Sequence, residues 1–100
     1  MKITGWYKKS QDLSLVVTPD SLDERELTRA IRDAIIAEEG AVKQYESVVD
    51  ATSNEKVKKV LQSISDEEKV HVFELQTVLK ELSPDEDKFK QKGEKEVEDI

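Results

Sequence analysis

Cysteine is absent from this chain of 100 residues, which also has only two prolines, three glycines and five aromatic residues. Without cysteine there can be no disulfide and no thiolate metal site, so a metal site would need carboxylate oxygens and imidazole nitrogens. The sequence has no apolar run near the roughly 20 residues of a membrane span, and its first residues lack the apolar core of a signal peptide. We therefore expect a cytoplasmic protein without a membrane partner.

A basic surface is also missing, because 23 acidic residues outnumber 16 basic ones and the net charge is -7. This balance predicts that nucleic acid is not a partner. An acidic field raises the local concentration of cations, although the same charge also serves simply to keep soluble proteins apart. Only 36% of the residues are hydrophobic and 39% are charged, so a single chain has a thin core and oligomerisation is expected to complete it.

The first 20 residues have no helical period and predict an extended N-terminal arm, with Trp6 and Tyr7 as its aromatic anchors. Ser21 and Glu24 have the spacing of a capping box, which predicts the start of a helix. Apolar positions then recur in alternating steps of four and three, the pattern of a helix in a bundle. This stripe is Leu27, Ile31, Ala34, Glu38, Ala41, Tyr45 and Val48.

A short polar break at 51–54 separates this helix from a second one, and Ser53 or Asn54 is suited to cap the second helix. Because the connection is short, the two helices are expected to lie antiparallel. The second stripe has the same alternating steps. It consists of Val57, Leu61, Ile64, Glu68, His71, Leu75, Val78 and Leu82.

A third, short and highly charged helix is predicted from Pro84 to Lys92, with Ser83 as its capping residue and Gly93 as its end. The charged remainder, 94–100, is expected to be a disordered tail. The predicted fold is therefore all-α: an antiparallel two-helix hairpin plus a short C-terminal helix, in one helical domain over residues 21–93.

Three polar residues interrupt the two apolar stripes: Glu38 in the first, and Glu68 and His71 in the second. Glu38 and Glu68 each lie 15 residues from Ser53 (53 − 38 and 68 − 53), so an antiparallel hairpin puts them at the same height. His71 follows Glu68 at the i, i+3 spacing, which keeps both on one helix face. Unpaired buried carboxylates are unfavourable, so this group is expected to bind a cation.

One chain offers two carboxylates and one imidazole, whereas a symmetric dimer offers four carboxylates and two imidazoles. That is the ligand set with which a four-helix bundle holds two iron or manganese ions. The alternative is that His71 is a packed core histidine and that the Glu-x-x-His spacing arises by chance. Glu39 and Glu67 point away from the stripes and are interpreted as surface charges, with Glu39 close enough to pair with Lys43.

Tyr45 lies two turns after Glu38 on the same helix face. If its hydroxyl is buried, it needs a partner, and a ligand carboxylate is within the range of such a side chain. A redox-active neighbour of the metal is a related possibility. The alternative is an aromatic side chain that only fills space, with its hydroxyl on water.

These residues resemble the ferritin-like superfamily, and more closely the encapsulated ferritins. The resemblance covers about 22–89 and rests on Glu38 within 35–41, on Tyr45, and on Glu68 and His71 within 67–71. It implies that the hairpin dimerises into a ferritin-like four-helix bundle. It also implies that Glu38, Glu68 and His71 are ferroxidase ligands of a di-iron centre, with Tyr45 as a nearby catalytic-site residue.

The resemblance further implies oxidation of Fe(II) by oxygen, assembly as a decameric ring of dimers, and residence inside an encapsulin shell that stores the iron. Two features depart from the family pattern. The C-terminal residues 96–100 are too acidic to match the usual apolar targeting peptide of the family. This difference would fit a chain that is joined to a shell protein or a chain that lacks the peptide. Ala37, Gly40 and Ala41 stand where some relatives have additional metal-collecting acids.

Two other functions are compatible with the sequence. A rubrerythrin-like peroxide reductase would use a similar di-iron site, although this chain lacks the cysteines of a rubredoxin-type electron-transfer centre. A non-enzymatic helical hairpin that serves dimerisation is the alternative from another class. That alternative predicts no stoichiometric metal.

Overall fold

The computed structural model describes residues 22–100, and this part of the chain forms three helices. They are α1 (Glu24–Ala51), α2 (Glu55–Leu82) and α3 (Asp85–Glu98). The two long helices pack against each other as a hairpin, and α3 follows α2 after a short turn. The predicted all-α hairpin with a short C-terminal helix is confirmed, while its dimerisation stays a prediction. The predicted arm over 1–20 and the predicted cap Ser21 lie outside the described residues.

The break between the long helices is as short as the sequence predicts. Thr52 closes α1, with its N–H donating to the carbonyl of Val48 at 3.0 Å. Asn54 begins α2, and its side chain accepts the N–H of Val57 at 3.0 Å. A cap of this kind contributes about 1 kcal/mol. Because three residues cannot span a wide gap, they hold the ends of α1 and α2 together and set the register of the hairpin.

The other two predicted helix starts differ from the structure. Asp23 is the N-cap of α1, where its carboxylate accepts the N–H of Glu26 at 2.7 Å. The hydroxyl of Ser83 does not cap α3, because the extended backbone of Ser83 still belongs to the end of α2. Pro84 is already in a helical conformation, and the N–H of Glu86 donates to the Ser83 carbonyl instead.

The predicted end of the third helix at Gly93 is also wrong, and so is the disorder predicted from residue 94. Helix α3 continues through Gly93 to Glu98. Glycine costs about 1 kcal/mol inside a helix but does not break it, and the residues that follow are mainly good helix formers. Lys95 and Asp99, at i, i+4 spacing, lie 3.7 Å apart and support the last turn.

The hairpin core is narrow and made of small or branched side chains. Its buried members are Ala34, Ala37, Glu38 and Val42 on α1, and Ser65, Val72 and Leu79 on α2. On α2 this face is displaced by one residue from the predicted stripe, since Ile64 and Val78 remain 37% and 42% exposed. A stripe of alternating steps has two edges, and the single neighbouring helix covers only one of them.

The uncovered edge of α2 carries four residues spaced by seven, which we call the exposed heptad line. Its members are Val57, Ile64, His71 and Val78. Residues at this spacing stay on one side of a helix over several turns. The line is therefore continuous along α2, and His71 lies within it between two apolar side chains.

Helix α3 is attached to the hairpin mainly through charge, because none of its residues is buried and Phe89 is 62% exposed. Arg32 on α1 pairs with Glu86, and Lys80 on α2 pairs with Asp87 at 3.3 Å. Exposed pairs of this kind contribute little stability, so α3 is held weakly. Within residues 22–100, no helix combines the length and apolar character that a membrane crossing requires.

Candidate metal centre

The three predicted ligands meet halfway along the hairpin. Glu38 projects from α1, while Glu68 and His71 project from α2 one turn apart. One potential ligand atom from each lies within 4.8 Å of the other two. The structure thus brings together residues 30 and more positions apart in sequence, as the equal distances of Glu38 and Glu68 from the turn predict. Their role as metal ligands stays a prediction.

The histidine ring faces both carboxylates with the same nitrogen. Nδ1 of His71 is 3.1 Å from Oε2 of Glu38 and 3.6 Å from Oε1 of Glu68. The three groups differ in exposure: the Glu38 side chain is 7% exposed, Glu68 is 19% exposed and His71 is 44% exposed. The group therefore extends from the hairpin core, at Glu38, to the exposed heptad line, at His71.

Close packing of the two carboxyl groups changes the protonation of Glu68. Hydrogen bonding to Glu38 raises the pKa of the Glu68 carboxyl to about 7, and burial and the charge of Glu38 act in the same direction. The nearby His71 opposes this shift. Glu68 therefore holds a proton up to near-neutral pH, which limits the repulsion between two carboxylates in a poorly solvated site.

The same carboxylates act on His71 in the opposite sense, by stabilising its charged form. The hydrogen bond to Glu38 raises the pKa of the His71 imidazole, burial opposes the shift, and the charges of Glu38, Glu68 and Glu74 add to it. Without metal, a proton on the imidazole takes the place of a cation between the two acids. A divalent ion would replace these protons, and metal binding should consequently release them.

The remaining predicted residues lie apart from this group. Tyr45 is half-buried on α1, and its hydroxyl makes no hydrogen bond within residues 22–100, so its role stays a prediction. Glu39 and Glu67 are exposed, as predicted. Within the described part of the chain, Glu39 forms no ion pair with Lys43, and the ion pair that links the hairpin helices near the site is instead Lys69 with Glu46, at 2.8 Å.

Ser65 is a buried polar residue that the sequence reasoning missed. It is fully buried at the α1–α2 interface, one turn before Glu68. Its burial was not predicted, because it lies one residue outside the predicted apolar stripe. The available signal was its i, i+3 spacing to Glu68 together with the seven-residue repeat Ser65, Val72 and Leu79.

The donor set fits a hard or intermediate divalent ion. Two carboxylates and one imidazole suit iron or manganese, whereas thiolate-dependent sites are excluded by the lack of cysteine. Within residues 22–100, the titratable groups of Glu68 and His71 lie beside the buried Glu38 carboxylate, and a cation would stabilise a carboxylate in this environment. Three protein donors leave further positions around one ion open to water, to a reactant or to donors from a second chain.

Comparisons of this chain with known proteins agree on one family. The family model described as rubrerythrin matches residues 29–99. The fold is similar to the crystal structure of the encapsulated ferritin domain from Pyrococcus furiosus, with a TM-score of 0.83 and 32% identity over 87% of this chain and 89% of that chain.

Two curated proteins are similar in sequence. The encapsulin nanocompartment cargo protein EncC of Myxococcus xanthus is 36% identical over 69 residues, which are 69% of this chain and 53% of that protein. The ferritin-like–encapsulin shell fusion protein of Pyrococcus furiosus is 35% identical over 77 residues, 77% of this chain and 22% of that protein. The chain thus spans about half of the first relative and about a fifth of the second.

The protonation of Glu68 and His71 predicts how metal-free stability depends on pH. Both groups have a raised pKa in the folded chain, so the folded state holds more protons than the unfolded state at mildly acidic pH. Their contribution to stability is present at low pH and is lost as pH rises through about 7. We expect the melting temperature in the presence of chelator to fall between about pH 5 and pH 8.

Glu68→Gln should flatten this dependence, because the amide does not titrate. Glu81→Gln, which removes an exposed acid at the far end of α2, is the matched control and should keep the wild-type slope. Circular dichroism melts across this pH range measure both variants. A melting temperature that rises over the range would contradict the protonation scheme.

Proposed function

The chain belongs to the rubrerythrin family of ferritin-like proteins, and from this premise we propose that it is a ferroxidase that oxidises Fe(II) with O2 at a di-iron site shared by two copies of the chain. The observation that carries the proposal is the cluster of Glu38, Glu68 and His71, with ligand atoms within 4.8 Å of one another. Oxygen and nitrogen donors of this kind bind Fe(II) and leave positions open for a reactant.

A second copy supplies the missing ligands. The exposed heptad line carries His71 between Ile64 and Val78, and apolar side chains in this arrangement favour contact with another helix. A symmetric contact along the line would bring a second His71 and a second pair of carboxylates to the same height. Four carboxylates and two imidazoles then surround two ions, the composition of ferritin-like di-iron sites.

In the proposed reaction, iron is the substrate. Two Fe(II) ions each lose one electron, and one O2 accepts both electrons with two protons and leaves as hydrogen peroxide. The Glu38 and Glu68 carboxylates neutralise the cations and stabilise the higher charge of Fe(III). Nδ1 of His71 faces both carboxylates and is the nitrogen positioned to bind iron.

The two other candidate functions have less support. A peroxide reductase of the rubrerythrin type would need an electron-transfer partner, and this chain has no cysteine with which to hold a rubredoxin-type iron. A purely structural hairpin gives no reason for a carboxylate with a 7% exposed side chain at Glu38, where an apolar residue would be more stable.

We further propose that the chain acts inside an encapsulin shell in the cytoplasm, as the names of its two curated relatives suggest. The test is co-expression with an encapsulin shell protein of its own organism, followed by sedimentation of the particles. The chain is expected to sediment with intact shells. Recovery of the chain only in the unassembled fraction would argue against the shell as its partner.

The site assignment predicts a sharp difference between adjacent glutamates. Glu38→Ala, Glu68→Ala and His71→Ala should each lower the initial rate of aerobic Fe(II) oxidation by at least about tenfold. A double variant should be little worse than a single one, because the ligands act as a unit. Glu39→Ala is the control and should stay near wild type, since Glu39 is exposed. Stopped-flow absorbance of Fe(III) measures the rates.

Two results would change the proposal. Equal losses in Glu39→Ala and Glu38→Ala would move the site by one residue. Oxidation that runs much faster with hydrogen peroxide than with O2 would favour the peroxide reductase instead.

A shared site also predicts that metal drives assembly. Without metal, the contact would bring four carboxylates together, and ions that bind only the assembled state favour it by mass action. We expect Fe(II), Mn(II) or Ca(II) to shift the chain from smaller species towards a ring of dimers, with about one ion per chain at saturation. Native mass spectrometry across an anaerobic metal titration measures both quantities.

Glu38→Ala or a chelator should weaken this response, whereas Glu68→Gln, which removes charge and keeps size, should favour association without metal. The exposed Glu67→Gln is the matched control. If the distribution of oligomers were identical with and without metal, apolar packing alone would set assembly.

A further inference from the structure

Ser65 has a hydroxyl group that the fold leaves without a partner. The residue is 0% exposed, and its Oγ makes no hydrogen bond within the described part of the chain. A buried hydroxyl without a partner destabilises a protein, because it loses its hydrogen bonds to water and gains none in return. An alanine has nearly the same size and no hydroxyl group, so it would fit this position without that cost. The presence of a serine therefore needs an explanation.

Three other hydroxyl groups on these helices donate a hydrogen bond to the backbone of their own helix. Thr28, Ser47 and Thr77 each donate to the carbonyl four residues earlier, at 2.8, 2.8 and 2.9 Å respectively. All three lie where water is also near, so they need this bond less than Ser65 does. Ser65 is buried and yet does not make it, which leaves its O–H available to a side chain.

A candidate side-chain acceptor on α2 is Glu68, which follows Ser65 by three residues. Long side chains on a helix lean towards its N-terminus and lie over the preceding turn. His71 follows this rule, since its Nδ1 lies 3.6 Å from the carboxylate of Glu68 three residues earlier. By the same rule, the carboxyl group of Glu68 is expected to lean towards the turn that contains Ser65. Ser65 and His71 thus flank Glu68 at equal spacing on the two sides.

We propose that Ser65 is a positioning residue of the metal centre, whose hydroxyl donates a hydrogen bond to a carboxylate oxygen of Glu68 when Glu68 binds metal. The inference rests on the proposed metal-binding role of Glu68. A carboxylate that binds an ion through one oxygen keeps acceptor capacity on the other, and hydrogen bonds to ligating carboxylates orient them. In the metal-free chain, Glu68 is engaged with Glu38 and His71, which accounts for the unpartnered hydroxyl.

The test compares Ser65→Ala with Ser63→Ala, an exposed serine on the same helix two residues away. Co(II) is the probe, because it binds oxygen and nitrogen donors and its absorption spectrum reports ligand geometry. We expect Ser65→Ala to bind Co(II) about tenfold more weakly by calorimetry and to show a shifted spectrum. Its metal-free melting temperature should be unchanged or higher, because an unsatisfied polar group is removed. Ser63→Ala should match wild type in all three measurements.

The outcomes separate this inference from the proposed function. If wild type binds Co(II) and Ser65→Ala binds it with the same affinity and spectrum, the hydroxyl only fills space and the positioning role is overturned. If Ser65→Ala loses metal-free stability in proportion to its loss of affinity, the role is structural and the inference is likewise overturned. If wild type binds no Co(II), the metal centre fails and the inference fails with it.

Discussion

The burial of the Glu38 carboxylate is the interaction on which the rest of this structure depends. A charged group with a 7% exposed side chain between two helices is tolerated only if a proton or a cation compensates it. In the metal-free chain, Glu68 and His71 perform this function by holding protons, as their raised pKa values indicate. A divalent ion that bound these three groups would displace those protons into the solvent. Under the proposed function, this unfavourable burial becomes a source of affinity for metal.

A single hairpin leaves one apolar edge of α2 uncovered. Its core on α2 consists of Ser65, Val72 and Leu79, while the exposed heptad line on the adjacent edge is left to solvent. His71 belongs to that line, so in the proposed dimer one contact would both complete the ligand set and cover the apolar edge. The proposed coupling between metal and assembly follows from this geometry. Helix α3, held by the pairs of Arg32 with Glu86 and Lys80 with Asp87, contributes no buried residue to either.

The comparisons and the site support the function at different levels. The match to the rubrerythrin family and the similarity to an encapsulated ferritin domain establish a ferritin-like chain. A fold of this kind carries several activities, so the activity has to be argued from the site. The proposed ferroxidase activity is supported by the cluster of Glu38, Glu68 and His71, by the absence of cysteine, and by the exposed edge beside His71.

The sequence by itself determined the hairpin and the meeting of its acids. A short polar break at 51–54 between two apolar stripes permits little besides an antiparallel pair, and equal distances from the turn bring Glu38 and Glu68 to one height. Local signals served less well where several residues competed for one role: Asp23 is the cap of α1, and Gly93 does not end α3. Alternative capping residues and alternative helix ends differ in free energy by about 1 kcal/mol, so the sequence pattern could not rank them.

Only the tertiary structure decided which edge of each stripe is covered. The steps of four and three are compatible with burial of Ile64 or of Ser65, because adjacent heptad positions are about 100° apart on a helix and either can face a neighbour. Packing of α1 on α2 buried Ser65 with Val72 and Leu79, and left Ile64 and His71 on the open edge. The half-exposed position of His71 and the unpartnered hydroxyl of Ser65 both follow from this rotation of α2. A rotation is a property of two packed surfaces, and the apolar pattern of one helix does not specify it.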